Sequence, residues 1–145
     1  MAEPASGPRV SALMAVSEPD EAWIRRSAAS VLGQTYPHLE LCVCDDASGR
    51  PHVRETLEEL AAADGRVRLV RSAEPVGRPG AYTKALAPAT GELVTLLDPG
   101  DELAPEALSL MLEALHDGPA DVVYADEDAV DISDRRPDPT FKPHW

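Results

Sequence analysis

The sequence predicts an α/β domain, a mostly parallel sheet with helices on both faces. Short apolar runs of strand length alternate along the chain with amphipathic segments of about 10–13 residues, the pattern of βαβ units with right-handed crossovers. Three of the apolar runs also stop abruptly in carboxylate clusters: Asp45-Asp46, Asp98 with Asp101, and Asp126-Glu127-Asp128. In a parallel sheet such strand ends share one edge, and open α/β sheets bind ligands just outside it.

Taken in order, residues 1–9 read as a disordered lead of Pro, Gly, Ser and Ala. Val10–Val16 is the first apolar strand, broken by Ser17-Glu18-Pro19-Asp20, which suits a helix start. The helix that follows runs to about Leu32, since Ile24, Ala28, Val31 and Leu32 form one apolar stripe, and Gly33 stops it. Leu39–Cys44 is the second strand, and Pro51–Ala63 the second helix, with Val53, Leu57, Leu60 and Ala61 at helical spacing. Val67–Val70 is a short third strand. The Pro- and Gly-rich stretch Ser72–Gly80 then reads as a loop before a brief helix at Ala81–Ala87. Leu93–Leu97 is a buried strand ending at the turn Asp98-Pro99-Gly100-Asp101. Pro105–Leu115 is a third long helix and Asp121–Ala125 a fifth strand. The domain so predicted covers 10–131, and 132–145 is an extended Pro-rich tail.

Composition narrows the function. Hydrophobic residues make up 43% of the chain and aromatics 4%, so the core is aliphatic. With 13 basic against 26 acidic residues the net charge is −13. Nucleic acid and anionic membranes, which need clustered Lys and Arg, are therefore not expected partners. No run approaches the roughly 18 apolar residues of a membrane helix. MAEPASGPR lacks a signal-peptide pattern, and the chain reads as cytoplasmic. Cys42 and Cys44, spaced C-x-C on one face of a strand, read as buried free thiols.

Carboxylates gathered on one edge repel one another unless a cation or donor groups offset them. That argues for a divalent cation, Mg²⁺ or Mn²⁺, which takes oxygen ligands, at Asp98 and Asp101. Each acidic turn alone is also what a solvated strand-to-helix connection carries; the three together single out an edge. His38, His52, His116 and His144 show no zinc spacing, and neither a G-x-S-x-G elbow nor a Walker A loop is present. Gly77-Arg78-Pro79-Gly80 is a poor phosphate loop because Pro79 has no amide to donate. Arg78 and Lys84 are basic residues that could help neutralise a diphosphate, or be solvated surface cations.

Three segments, ASVLGQTYPHLELCVCDDAS (29–48), ATGELVTLLDPGDEL (89–103) and VVYADEDAVD followed by FKPHW (122–145), resemble the family 2 inverting glycosyltransferases, in particular those of bacterial surface polysaccharides. The resemblance runs from about residue 10 to Trp145. It implies the GT-A fold, with a Rossmann-like half binding a nucleotide-sugar of UDP or dTDP type, and a glycan acceptor. It further implies that Asp45 and Asp46 bind the base or ribose, that Asp98 lies beside ribose and diphosphate, and that Val16 and Lys84 border the nucleotide. Asp126, Glu127 and Asp128 would border the sugar or acceptor and are the only stand-ins for the catalytic base. The cation would neutralise the leaving diphosphate.

The sequence departs from the family pattern in four respects. The turn usually written D-x-D-D has Gly100 where a metal-binding carboxylate is expected. The first strand ends in Ala15-Val16-Ser17-Glu18 in place of a Pro-x-Tyr-Asn type sequence, Pro75 and Thr83 stand where Asn is usual, and the later part of the domain is not represented. The alternative function is therefore a truncated or degenerate nucleotide-sugar-binding module without transfer activity, with hydrophobic sheet surface left uncovered and open to association. A receiver-like signalling domain fits less well, because its acidic pair follows the first strand and a Lys follows the last.

Overall fold

The structure is a computed structural model and describes residues 7–129, 133 and 141–142. The chain divides into two compact units, Met1–Ala107 and Leu108–Trp145, where the sequence suggested one body over 10–131. In the first unit β1 (Val10–Val16), β2 (Leu39–Asp45), β3 (Val67–Arg71) and β4 (Leu93–Leu97) form a four-stranded sheet in the order β3-β2-β1-β4. Every pairing is parallel, with Val16 opposite Asp45, Asp45 opposite Arg71, and Met14 opposite Leu97. The carboxyl ends of all four strands thus lie on one edge. Strand order reverses between β1 and β4, which is where open α/β sheets form their ligand crevice.

The alternating faces of β1 and β2 bury two aliphatic layers. Leu13, Cys42 and Cys44 pack under Ala81 and Ala85 of α3 (Gly77–Leu86). On the other face α1 (Glu21–Leu32) and α2 (Pro51–Ala63) pack against each other, burying Ile24, Ala28, Val31, Val53 and Leu57. Helices cover both faces, as the periodicity predicted. Cys42 and Cys44 are free and fully buried, and burial pushes the Cys42 thiol up to about 11. Helix α3 lies over β1, β2 and β3. The α3-side residues of the edge strand β4, Val94 and Leu96, are 53% and 61% exposed, so sheet surface is indeed left open there.

Glu40, the second residue of β2, is a charge buried at the start of the sheet, and it clamps β4 in place. Glu40 Oε1 accepts from Ser11 Oγ at 2.7 Å and from the Thr90 amide at 2.5 Å, and Oε2 accepts from Arg68 Nε at 2.7 Å. The Gly91 amide donates to Ser11 Oγ at 2.9 Å, an approach that a side chain at Gly91 would block. Burial alone would raise the Glu40 carboxyl. The Thr90 amide, Arg68, Ser11 and the Thr90 hydroxyl outweigh it and bring it down to about 2. Because the folded value lies below the ordinary carboxylate value, this stabilisation is complete above about pH 4.5 and is lost as pH falls toward 2. Urea denaturation from pH 6 to about pH 3 should show a falling midpoint in the native chain, and Glu40→Gln should remove part of the slope.

Several boundaries differ from expectation. Within the predicted lead, the Pro8 carbonyl accepts from the Tyr36 hydroxyl at 2.6 Å and Arg9 O accepts from the Glu92 and Leu93 amides; residues 1–6 lie outside the described residues. Helix α3 begins at Gly77 rather than Ala81. Pro79 falls in its first turn, where a missing amide costs nothing. In the second unit, α4 (Ala107–His116) starts two residues later than predicted. The expected strand at Asp121–Ala125 is absent: these residues carry no regular structure, and Val122 and Tyr124 are exposed rather than packed on a sheet face. Most of the tail 132–145 lies outside the described residues.

Candidate functional site

Two of the three acidic clusters sit on the carboxyl edge of the sheet in the first unit. Asp45 ends β2, 4% exposed, with Oδ1 accepting from the Ser48 amide at 2.9 Å and Oδ2 3.6 Å from Arg71 Nε. Its neighbour Asp46 donates its amide to the Val16 carbonyl at 2.7 Å, joining the ends of β1 and β2. The chain then turns at Ala47, whose φ of +55° is uncommon for a residue with a side chain. Val16 itself is fully buried, so it contributes the floor of the edge rather than a side chain reaching out.

The Asp46 carboxylate faces away from solvent and organises α3. Its Oδ1 accepts from the Val76 amide at 2.8 Å and its Oδ2 from the Gly77 amide at 3.0 Å. Two of the amides that a helix start leaves without partners are thereby satisfied by a carboxylate, which also suits the positive end of the helix. Lys84 lies further along α3, and its Nζ donates to Ser72 Oγ at 2.9 Å, beside the end of β3.

Asp98 stands at the end of β4, across the strand-order reversal. Its Oδ1 accepts from the Tyr82 hydroxyl at 2.5 Å, and its Oδ2 pairs with the Arg78 guanidinium. The Tyr82 ring lies 6.0 Å from that guanidinium, within cation–π range. Helix α3 therefore delivers a cation and a phenol, one turn apart, to one carboxylate.

The turn after Asp98 is fastened by polar side chains of α1 and of the residue just past its C-cap. Buried Ser27 accepts from the Gly100 amide at 2.8 Å and donates to the Asp98 carbonyl at 3.3 Å. Ser30 Oγ accepts from the Leu103 amide at 3.1 Å, and Gln34 Nε2 donates to the Ala104 carbonyl at 2.7 Å. Arg26 pairs with Glu102 at 2.6 Å. None of these residues, nor Tyr82, stands out in the sequence as a site residue. The spacing Ser27-x-x-Ser30 on one face of α1 was the available signal.

Gly100 adopts φ +102°, a conformation that L side chains rarely take, with the Trp23 ring about an ordinary contact away from where a Cβ would stand. Gly100→Ala should cost about 1–3 kcal/mol of stability, and Gly100→Asp should cost at least as much, both read as a lowered urea midpoint.

Asp98 and Asp101, as they stand, do not make a cation site. Both Asp98 oxygens are engaged, and Asp101 Oδ2 accepts from the Asp98 amide at 3.2 Å, closing the turn on itself. Among the described residues there is no group of three or more His, Cys, Asp or Glu side chains able to hold a metal ion. The third acidic cluster belongs to the second unit. There Asp126, Glu127 and Asp128 are exposed, Asp126 Oδ1 accepts from the Lys142 amide at 2.8 Å, and Glu127 lies 3.5 Å from Lys142 Nζ.

A model of glycosyl transferase family 2 matches residues 13–141. The chain is 37% identical over 141 residues to the uncharacterized protein y4gI of Sinorhizobium fredii, and 33% identical over 139 residues to the O-antigen biosynthesis protein RfbC of Myxococcus xanthus. These matches cover 97% and 95% of the chain but only 16% and 11% of the relatives' own lengths. Among solved structures it is similar to a mannosyltransferase from Pyrobaculum calidifontis in complex with GDP-Man and Mn²⁺, with 26% identity and a TM-score of 0.68 over 78% of this chain and 34% of that one.

Proposed function

The chain belongs to glycosyl transferase family 2, with the α/β, GT-A-like fold of that family, and we propose that it forms the donor-binding part of an enzyme transferring a sugar from a nucleotide-sugar to a surface glycan with inversion. The observation that carries this is the placement of Asp45, Asp46 and Asp98 on one edge of an all-parallel sheet, on either side of the strand-order reversal. The neighbour with GDP-Man and the relative named for O-antigen biosynthesis support a sugar nucleotide and a polysaccharide as the two substrates.

In this reading each residue has a limited task. Asp45 and the turn after it present oxygen acceptors and the Ser48 region to the base or ribose. Asp46 fixes the start of α3, so Arg78 and Tyr82 face Asp98 across the crevice. Asp98 lies beside the ribose and diphosphate, held in position by Tyr82 and by the turn that Ser27 fastens. The bond between the anomeric carbon and the donor's phosphate oxygen breaks as an acceptor oxygen bonds from the opposite face. The acceptor's proton passes to a carboxylate, and the diphosphate leaves with the electron pair. Cytoplasmic residence, with Cys42 and Cys44 as free thiols, belongs to the same proposal. No helix among the described residues is long and apolar enough to cross a membrane.

A second reading, a nucleotide-sugar-binding module without transfer of its own, is favoured by Gly100, which sits at positive φ where the family carries a carboxylate. Calorimetric titration with UDP, dTDP and GDP, followed by an assay for sugar release from the matching nucleotide-sugars, separates the two. Binding with turnover supports the enzyme, binding without turnover supports the module, and no binding of any nucleotide contradicts both.

A further inference from the structure

We propose that the positive charge meeting the donor's diphosphate in this chain is the guanidinium of Arg78 rather than a divalent cation. The inference rests on the nucleotide-sugar reading above and sharpens it to one residue.

Three observations lead there. First, the carboxylates are arranged to hold protein groups: Asp98 uses both oxygens on Arg78 and Tyr82, Asp101 closes its own turn, and Gly100 offers no ligand and a backbone that resists one. Secondly, other donors described on this edge are committed. Asp46 takes the Val76 and Gly77 amides, and Pro79 has none, so the start of α3 is not a free phosphate cradle. Arg71 is shared between Asp45 and Glu58, and Lys84 Nζ is directed to Ser72. Thirdly, Arg78 combines fixed direction with access. Its side chain is 67% exposed, yet it is aimed by Asp98 and lies over the Tyr82 ring.

An ion pair this exposed is weak, so turning the guanidinium from Asp98 toward a stronger anion costs little. A guanidinium has five N–H donors and matches phosphate oxygens in bidentate fashion, so it can keep one contact to Asp98 while taking up two phosphate oxygens. It would stand between a dianionic diphosphate and a protein of net charge −13, where an unscreened approach is repulsive. Tyr82, by holding both Asp98 and the guanidinium, acts as the positioning residue for this arrangement.

The test is calorimetric titration of the full chain with UDP and with GDP, in EDTA and in Mn²⁺. It is applied to the native chain and to Arg78→Ala and Arg78→Lys, with thermal melts to confirm that each variant folds. At least one nucleotide is expected to bind in EDTA, with affinity changed less than about threefold by Mn²⁺. Arg78→Ala should weaken it at least about tenfold, with Arg78→Lys falling between, because a point charge replaces a fork of donors. Binding that appears only with Mn²⁺ and is indifferent to Arg78→Ala overturns the inference and leaves the nucleotide-sugar reading intact. Binding indifferent to both Mn²⁺ and Arg78 does the same. No binding of either nucleotide by the native chain under either condition overturns the inference together with the reading beneath it.

Discussion

Asp98→Ala is expected to weaken nucleoside diphosphate binding by about tenfold, because Arg78 and Tyr82 lose the carboxylate that holds them in place. The fold should survive, because Asp98 is partly exposed and lies at the end of a strand. Its backbone contacts, to Ser27 through the carbonyl and to Asp101 through the amide, do not need the side chain. The melting temperature should therefore move little while the binding isotherm flattens. Asp98→Asn should give a smaller loss, since one oxygen can still accept from Tyr82 while the charge that aims Arg78 is gone. A variant as tight as the native chain would remove Asp98 from the site.

The largest effect on stability belongs to Glu40, far from that turn in sequence. Glu40→Ala should cost about 3 kcal/mol or more, because removing a buried, hydrogen-bonded carboxylate strands its partners. The buried Ser11 hydroxyl would lose its acceptor, whereas exposed Thr90 and half-exposed Arg68 can turn to water. The same loss should loosen the entry of β4, since Thr90 and Gly91 are held by Glu40 and Ser11. Equilibrium urea denaturation checks the energy, and amide exchange at residues 90–97 checks the location: protection should fall there first. A midpoint shift of only a few tenths of a molar would contradict the clamp.

The sheet was legible because its central strands β1 and β2 are buried on both faces and, like β4, read as short apolar runs punctuated by turns. Val10–Val16 and Leu93–Leu97 were found to the residue, and β2 and β3 to within one. Where the prediction failed, local chemistry hid the tertiary outcome. Gly77-Arg78-Pro79-Gly80 looks like a loop from propensity alone, yet Asp46, thirty residues earlier, supplies the acceptors that let a helix start there. Asp121–Ala125 has strand-like composition, but its Val122 and Tyr124 are exposed, so composition had no burial behind it.

The site was legible as an edge and not as a constellation. Asp45, Asp46 and Asp98 could be named because carboxylates at strand ends are visible in one dimension. The protein groups they hold could not be read in one dimension: Asp46 takes two amides at the start of α3, and Asp98 pairs with an arginine. Tyr82, Ser27 and Ser30 were not legible because polar residues on amphipathic helices are ordinarily solvated, and Gln34 lies just past the end of α1. Arg78 was visible only as one of two basic residues able to approach a diphosphate. A lone charge inside an apolar strand, Leu39-Glu40-Leu41, was a signal present in the sequence and passed over.

A nucleoside diphosphate is expected to bind at the carboxyl edge where strand order reverses. Amide chemical-shift mapping of the isotopically labelled chain, titrated with the nucleotide that binds best in calorimetry, tests it most directly. Perturbations should concentrate at residues 45–48, 76–82 and 98–101, saturate together, and leave the Glu40 clamp at residues 9–11 and 90–92 unmoved. Saturable perturbations confined to other parts of the sheet, or none at millimolar nucleotide, would contradict it.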